Sequence, residues 1–488
     1  MLLSLLVACT TTELPTPYRS EVGLTGSGPA AVAPEATLRP GQPGITYELY
    51  VRSFQDSDAD GIGDLEGVRQ RLDHLDSLGV RTLWLMPIFP AFGPAGYDAT
   101  DFGTITPEYG TEDDLVALLE EAHAMGIRVL LDVPLNHVHR SHRWFTAAES
   151  GDVAAQAHFR YAPAAEGEGW YPSQAGGAYF GWFGADMPDL DWHHADTRDT
   201  MLASLHHWLD LGVDGFRFDA VLMLDEGDEM ELGSAESHEL LGELLVELRA
   251  GHPDRFFLAE ASEWETERAL GWLDRPDAPG CDAVLDFPRL DALVEAGNGH
   301  GVEDLVELVR EQVEAGGAVG MGAFTGSHDL TRLPARVPDP GARRALRVLQ
   351  YLLPGSPVLY YGDELDLPDA STAAGQDYAM RAPMPWSDAS QAGFTDGTPW
   401  FTPDPAFAEG VNVEAQAADP DSMLSLTRAL AALRAERGLD SASTLPMTSG
   451  DAALFQFERT GPAGTVRVEV NLGASPSGGL PAWGFRVQ

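Results

Sequence analysis

The chain has 488 residues, 44% of them hydrophobic, enough for one large domain with one or two small ones beside it. It carries 76 acidic residues against 30 basic ones, all arginine, for a net charge of −46. That balance speaks against nucleic acid and against an anionic membrane surface as partners, and it fits a neutral ligand and solubility in high salt.

The chain opens on a short apolar run, Leu2 to Ala8, just before Cys9. The run resembles a bacterial lipoprotein signal with Cys9 as the lipidated first residue. It is too short to span a bilayer and lacks the usual preceding positive charge. This reading predicts a secreted or cell-envelope protein, held to a membrane only through lipid on Cys9. Cys9 and Cys281 are the two cysteines, too few for a disulfide framework. Residues 10–44 are rich in Pro, Gly, Ser, Thr and Ala and predict a flexible tether. Order is predicted to begin with a strand at Ile45 to Val51.

Next come Asp56, Asp58, Asp60, Gly61, Ile62 and Asp64. Carboxylates at alternate positions followed by glycine suit a calcium loop, with Ile62 offering its backbone carbonyl. The closing glutamate of an EF-hand is missing, since Gly67 stands in its place. The loop runs into a helix whose apolar face is Leu65, Val68, Leu72, Leu75 and Leu78. An acidic turn capping that helix is the plainer alternative.

Strand and helix then alternate. Val80 to Met86 predicts a strand, Leu115 to Met125 a helix, and Ile127 to Val133 a third strand, running into Asn136 and His137. From 138 to 195 the periodicity breaks, and glycine and aromatics dominate. The stretch is too long for an ordinary loop and predicts an inserted domain. After a helix at Met201 to Leu211 comes Gly212 to Ala220, a short strand in which Arg217 and Asp219 point to one face and Phe216 and Phe218 to the other. A guanidinium beside a carboxylate favours its ionised form, as a nucleophile at a sugar carbon requires. A structural ion pair explains the same two residues as well. Later strands end at Glu260, at Phe287, at His328 and Asp329, and at Asp363 and Glu364. Eight strands separated by helices predict an α/β protein, a (β/α)8 barrel with chemistry at the C-terminal strand ends. The barrel comprises 45–137 and 196–440, and a small β domain follows at 441–488.

Three carboxylates with an arginine and histidines on one rim suit glycoside cleavage. Four short stretches carry a family resemblance, in family order: Asp132 to His137, Gly212 to Ala220, Leu258 to Glu260 and Phe324 to Asp329. The chain resembles the α-amylase family of glycoside hydrolases, near the intermediate α-amylase group and the oligo-1,6-glucosidases. The resemblance implies Asp219 as nucleophile, Glu260 as general acid/base and Asp329 as transition-state stabiliser. It implies Tyr97, Asp98, His137, Arg217 and His328 as sugar-binding residues. The calcium loop, Arg381 to Trp386 and Asn412 to Gln416 resemble the oligo-1,6-glucosidase and trehalose-synthase branches.

The chain also departs from the family. Ser327 stands where asparagine is usual, and Leu222 and Met223 stand where lysine and histidine serve acceptor-side sugars. In α-amylases that histidine's carbonyl joins a second calcium site. Asn136, Asp189 and the carbonyl of Met223 are the corresponding candidates here. The expected function is that of a monomeric, retaining α-amylase on starch, maltodextrin or maltooligosaccharides. The alternatives are an exo-acting α-glucosidase or oligo-1,6-glucosidase, a trehalose-synthase-like glucosyl transferase, and a non-catalytic sugar-binding protein.

Overall fold

The computed structural model describes residues 21–22, 44–165, 167–225, 231–316, 318–370, 376–441, 443–448 and 453–488. Cys9 and nearly all of the 10–44 segment lie outside the described residues. Eight parallel strands close into a barrel. They are β1 (Ile45–Leu49), β2 (Val80–Leu85), β3 (Arg128–Pro134), β4 (Gly215–Asp219), β5 (Phe256–Ala259), β6 (Ala283–Leu285), β7 (Met321–Phe324) and β8 (Ser356–Tyr360). Closure is made where β8 pairs with β1, setting Tyr360 opposite Glu48.

The strands are short and buried throughout, as strands covered on both faces should be. Trp84, Leu130, Leu258, Leu285, Phe324 and Val358 pack together as an inner cluster. Phe216 and Phe218 belong instead to the larger cluster that the helices cover, and Phe218 stacks on Phe257 with centroids 5.8 Å apart. The register sets Asp132 opposite Arg217 and Pro134 opposite Asp219. Gly215 has a positive φ of 147°, and a Cβ there would stand 1.7 Å from the Phe256 carbonyl oxygen, so a side chain would force β4 and β5 apart.

Four details differ from the sequence expectations. The helix expected across Leu65 to Leu78 is two helices, Leu65–Gln70 and Leu72–Ser77. The break falls at Arg71, whose guanidinium lies over Trp386 and whose Nε donates to Gln55 Oε1 at 2.7 Å. The seventh strand starts at Met321, because Ala318–Gly320 winds into a 3-10 turn. An unforeseen helix, Phe287–Gly297, precedes the expected one at Val302–Glu314. Within the tether segment, Glu21–Val22 pairs in parallel with Phe485–Val487.

The insert after β3 holds two helices, Arg143–Glu149 and Val153–Gln156, and a three-stranded antiparallel sheet. Phe145, Tyr179 and Phe180 are its core. The C-terminal sheet is built from Ser443–Thr448, Leu454–Gly461, Gly464–Asn471 and Phe485–Val487, antiparallel to one another. Among the described residues no helix is long and apolar enough to cross a membrane.

Candidate active site

Arg217 is the hub. Its side chain is buried, and burying a guanidinium is costly unless carboxylates surround it. Nη1 donates to Asp132 at 2.8 and 3.0 Å and to Asp219 at 2.6 Å, while Nη2 lies 3.3 Å from Glu260 Oε2. The nucleophile and acid/base candidates therefore share one guanidinium. Asp132 is held further by Trp84 Nε1 and the Tyr97 hydroxyl, each donating at 2.9 Å. Ala220 takes a left-handed φ of 53°, which residues other than glycine seldom adopt. That turn points its N–H at Glu260 Oε2, 2.9 Å away.

The other half of the site is built on histidine. Glu48, at the end of β1, is 2.5 Å from His328 Nδ1, and His328 Nε2 is 3.0 Å from Asp329. Arg381 reaches Asp329 at 3.3 Å and donates from Nε to the His328 carbonyl at 3.0 Å. Tyr97 joins the halves, since its ring stacks on His328 (4.9 Å, 11°) while its hydroxyl serves Asp132. Asp219, Glu260 and Asp329 thus belong to one connected cluster at the C-terminal ends of β4, β5 and β7.

Proton affinities differ across the cluster. Burial pushes Asp219 up to about 6, with Arg217 pulling it down and Asp132 adding to the rise. Burial pushes Glu260 to about 7, again against Arg217 and helped by Asp219. Burial opposes charge on His328, but Asp329 and Glu48 outweigh it and lift the imidazole to about 10. Asp329 is held well below the usual carboxylate range, because the charges of His328, Arg217 and Arg381 overcome its burial. Its side chain is 56% exposed, so it faces the open mouth.

His137 is buried beside Phe183, and burial drives its pKa down to about 4, leaving it neutral at pH 7. Asp98 is placed differently: both its oxygens accept from the Gly93 amide at 2.9 Å. Among the described residues no hydrogen bond or ion pair is shown linking Asp98 to the cluster. Ser327, in the place of the usual asparagine, accepts from the Asp329 N–H at 3.3 Å and so shapes the turn beneath it.

The calcium candidates fit a hard cation in part. Ligand atoms of Asp56, Asp58 and Asp64 lie within 4.8 Å of one another. Asp56 accepts from the amides of Asp58, Ala59 and Gly61 and from Thr395 Oγ1. Asp60 and Ile62 are on the same turn, where the Ile62 N–H donates to Asp60 at 2.7 Å. Oxygen donors on a tight loop suit calcium. The second trio, Asn136, Asp189 and Met223, does meet. There the Asn136 amide donates to Asp189 at 3.2 Å and to the Met223 carbonyl at 2.5 Å. The side chains of Asn136 and Asp189 and the Met223 carbonyl therefore converge on one point, bridged by the Asn136 amide.

Glu48, Trp84 and Arg381 join the site without a sequence expectation of such a role. Glu48 carries a signal in the sequence, a polar residue near the end of a buried strand, where a barrel keeps its chemistry.

A family profile described as the α-amylase catalytic domain matches residues 48–441. The chain is 31% identical over 464 residues to a trehalose synthase/amylase of Mycolicibacterium smegmatis, covering 83% of this chain and 78% of the relative. It is 27% identical over 495 residues to an oligo-1,6-glucosidase of Parageobacillus thermoglucosidasius, covering 85% and 87%. The crystal structure of Bacillus licheniformis trehalose-6-phosphate hydrolase superposes with a TM-score of 0.77 at 25% identity, covering 89% of this chain and 90% of that one.

Proposed function

Since the chain belongs to the α-amylase family of glycoside hydrolases and transferases, we propose that it removes single glucosyl units from the non-reducing ends of short α-glucosides, with retention. The glucosyl unit passes to water or to another sugar. The observation that carries the retaining chemistry is the shared guanidinium: Asp219 and Glu260 are both held by Arg217, and their pKa values fall in the order the chemistry needs. At pH 7 Asp219 is mainly ionised and attacks the anomeric carbon. Glu260, about half protonated, donates to the leaving oxygen, then takes a proton from water or an acceptor hydroxyl as the ester to Asp219 breaks. Ionised Asp329 faces the positive charge that develops on the sugar.

The alternative is preferred to the α-amylase expectation because the relatives are a trehalose synthase/amylase and an oligo-1,6-glucosidase. The Asp56 to Asp64 loop is proposed to hold calcium through Asp56, Asp58 and Asp64, where the ion would supply charge compensation and no step of the reaction.

The deciding experiment compares maltose, isomaltose and a maltooligosaccharide blocked at its non-reducing end. The two disaccharides should be consumed, giving glucose and transfer products, and the blocked chain should persist. Cleavage of the blocked chain would return the endo-acting α-amylase reading.

A further inference from the structure

Phe92 is 77% exposed, more than Trp264 or Phe183, the other exposed aromatic side chains among the described residues. Its ring is nonetheless fixed. It stacks on His139 with centroids 4.5 Å apart and planes 9° apart. His139 is itself buried and pinned, with Nδ1 accepting from the Ser141 hydroxyl at 2.7 Å and from its amide at 3.2 Å. Main-chain bonds lock both supporting segments: Phe92 N to Asp98 O, His139 N to Ala99 O and Arg140 N to Asp186 O. One face of the phenyl ring is therefore covered by histidine, and the other is presented to solvent as a flat, immobile platform.

The platform borders a cleft of about 570 Å³ between the loop after β2 and the inserted domain. None of Asp219, Glu260 or Asp329 lines it. Apart from Phe145, its remaining wall is polar: the ion-paired Arg140 and Asp186 (3.0 Å), with Ser141, Glu149 and Gln174 close by. A fixed aromatic face beside a carboxylate, a guanidinium and hydroxyl or amide groups is complementary to a pyranose. The apolar C–H face of the sugar covers the ring, and vicinal hydroxyls bridge the ion pair.

We propose that this cleft is a second, non-catalytic carbohydrate site that takes a glucosyl residue of an α-glucan. Its lining shares no residue with the catalytic cluster, although both draw on the same two segments. His137 and His139 alternate along one segment, and Tyr97 and Asp98 sit on the loop that carries Phe92. The proposal rests on the α-glucoside reading for its ligand, whereas the geometry of the cleft is independent of the catalytic cluster.

The test is native affinity electrophoresis of the full chain in gels containing soluble starch, with and without saturating 1-deoxynojirimycin to fill the catalytic glucosyl pocket. Retardation by starch should persist with the inhibitor. Phe92→Ala should weaken it about tenfold, the scale expected for loss of a stacking face. Asp186→Ala should weaken it less, and Phe92→Tyr should retain it. Turnover of 4-nitrophenyl α-glucoside by Phe92→Ala should match the parent, which also shows that the variant is folded. No retardation of the parent protein, retardation abolished by the inhibitor, or equal retardation of parent and Phe92→Ala would each overturn the second site. Failure to turn over the aryl glucoside would instead count against the proposed function.

Discussion

Two halves of one pocket handle their carboxylates in opposite ways. On the Arg217 side a single cation is divided among Asp132, Asp219 and Glu260, so burial wins and two of the three carboxyls rise to about 6 and about 7. On the His328 side Asp329 has a histidine at 3.0 Å, which Glu48 shares, and an arginine at 3.3 Å, and its more exposed carboxyl stays ionised. The difference teaches that protonation here follows depth first and then the balance of cations to carboxylates around each group. The Arg217 side has groups that change charge near neutral pH. The His328 side keeps a fixed negative charge.

The hardest blow to this contrast is Asp219→Asn, which removes the attacking oxygen and leaves Arg217 with one fewer carboxylate to serve. Turnover of an aryl α-glucoside should fall by about 10⁴-fold or more. Undiminished turnover would end the assignment of Asp219. Glu260→Gln should cost roughly 10²- to 10⁴-fold, the usual scale for a general acid/base. The parent kcat/KM should form a narrow bell. It falls as pH drops below about 6, where Asp219 gains a proton, and falls again above about 7, where Glu260 loses its own. Glu260→Gln should erase the alkaline limb and keep the acid one.

A milder test acts on the histidine side. His328, at about 10 in the folded chain against about 6.5 unfolded, binds more protons in the native state between those values. Its contribution to stability is therefore complete below pH 6.5 and is lost as pH rises toward 10. Glu48→Gln removes one of the two carboxylates that sustain that charge. Urea midpoints at pH 6.5 and 9.5 should differ by less in the variant than in the parent. An identical pH dependence would remove Glu48 from its supporting place.

Glu48 also shows where sequence reading stopped. The alternation of strands and helices was legible because buried parallel strands are compact apolar runs, and Arg217 with Asp219 because spacing of two in a strand fixes a shared face. Phe216 and Phe218 packed under the helices for the same reason. What could not be read locally was pairing across the barrel. Glu48 meets His328 across 280 residues, and Tyr97 bridges two strand ends. Arg71, where the helix breaks, packs on Trp386 from a distant part of the chain. Asn136 and the Met223 carbonyl, which do meet, are 87 residues apart in the chain.

The smallest expected effect tests a third way of treating carboxylates. Asp56, Asp58 and Asp64 converge with backbone amides and the Thr395 hydroxyl as their partners rather than with a basic side chain. Dipoles alone steady Asp56, whose pKa is lowered by the Thr395, Gly61, Ala59 and Asp58 hydrogen bonds despite burial, whereas burial raises Asp64. A divalent cation would supply the charge that Arg217 and His328 supply elsewhere. Gly61 keeps the loop pressed against Thr398, where a Cβ would come within 1.9 Å of the carbonyl oxygen. Calcium at about a hundredfold over its Kd should therefore stabilise the fold by about 2.7 kcal/mol, raising the thermal midpoint by a few degrees. Chelation should reverse the gain, and Asp58→Asn, on the exposed side of the loop, should blunt it without touching the pH bell. A midpoint indifferent to both calcium and chelator would leave the loop as a helix-capping turn, with Asp64 accepting from the Ser57 and Gly67 amides.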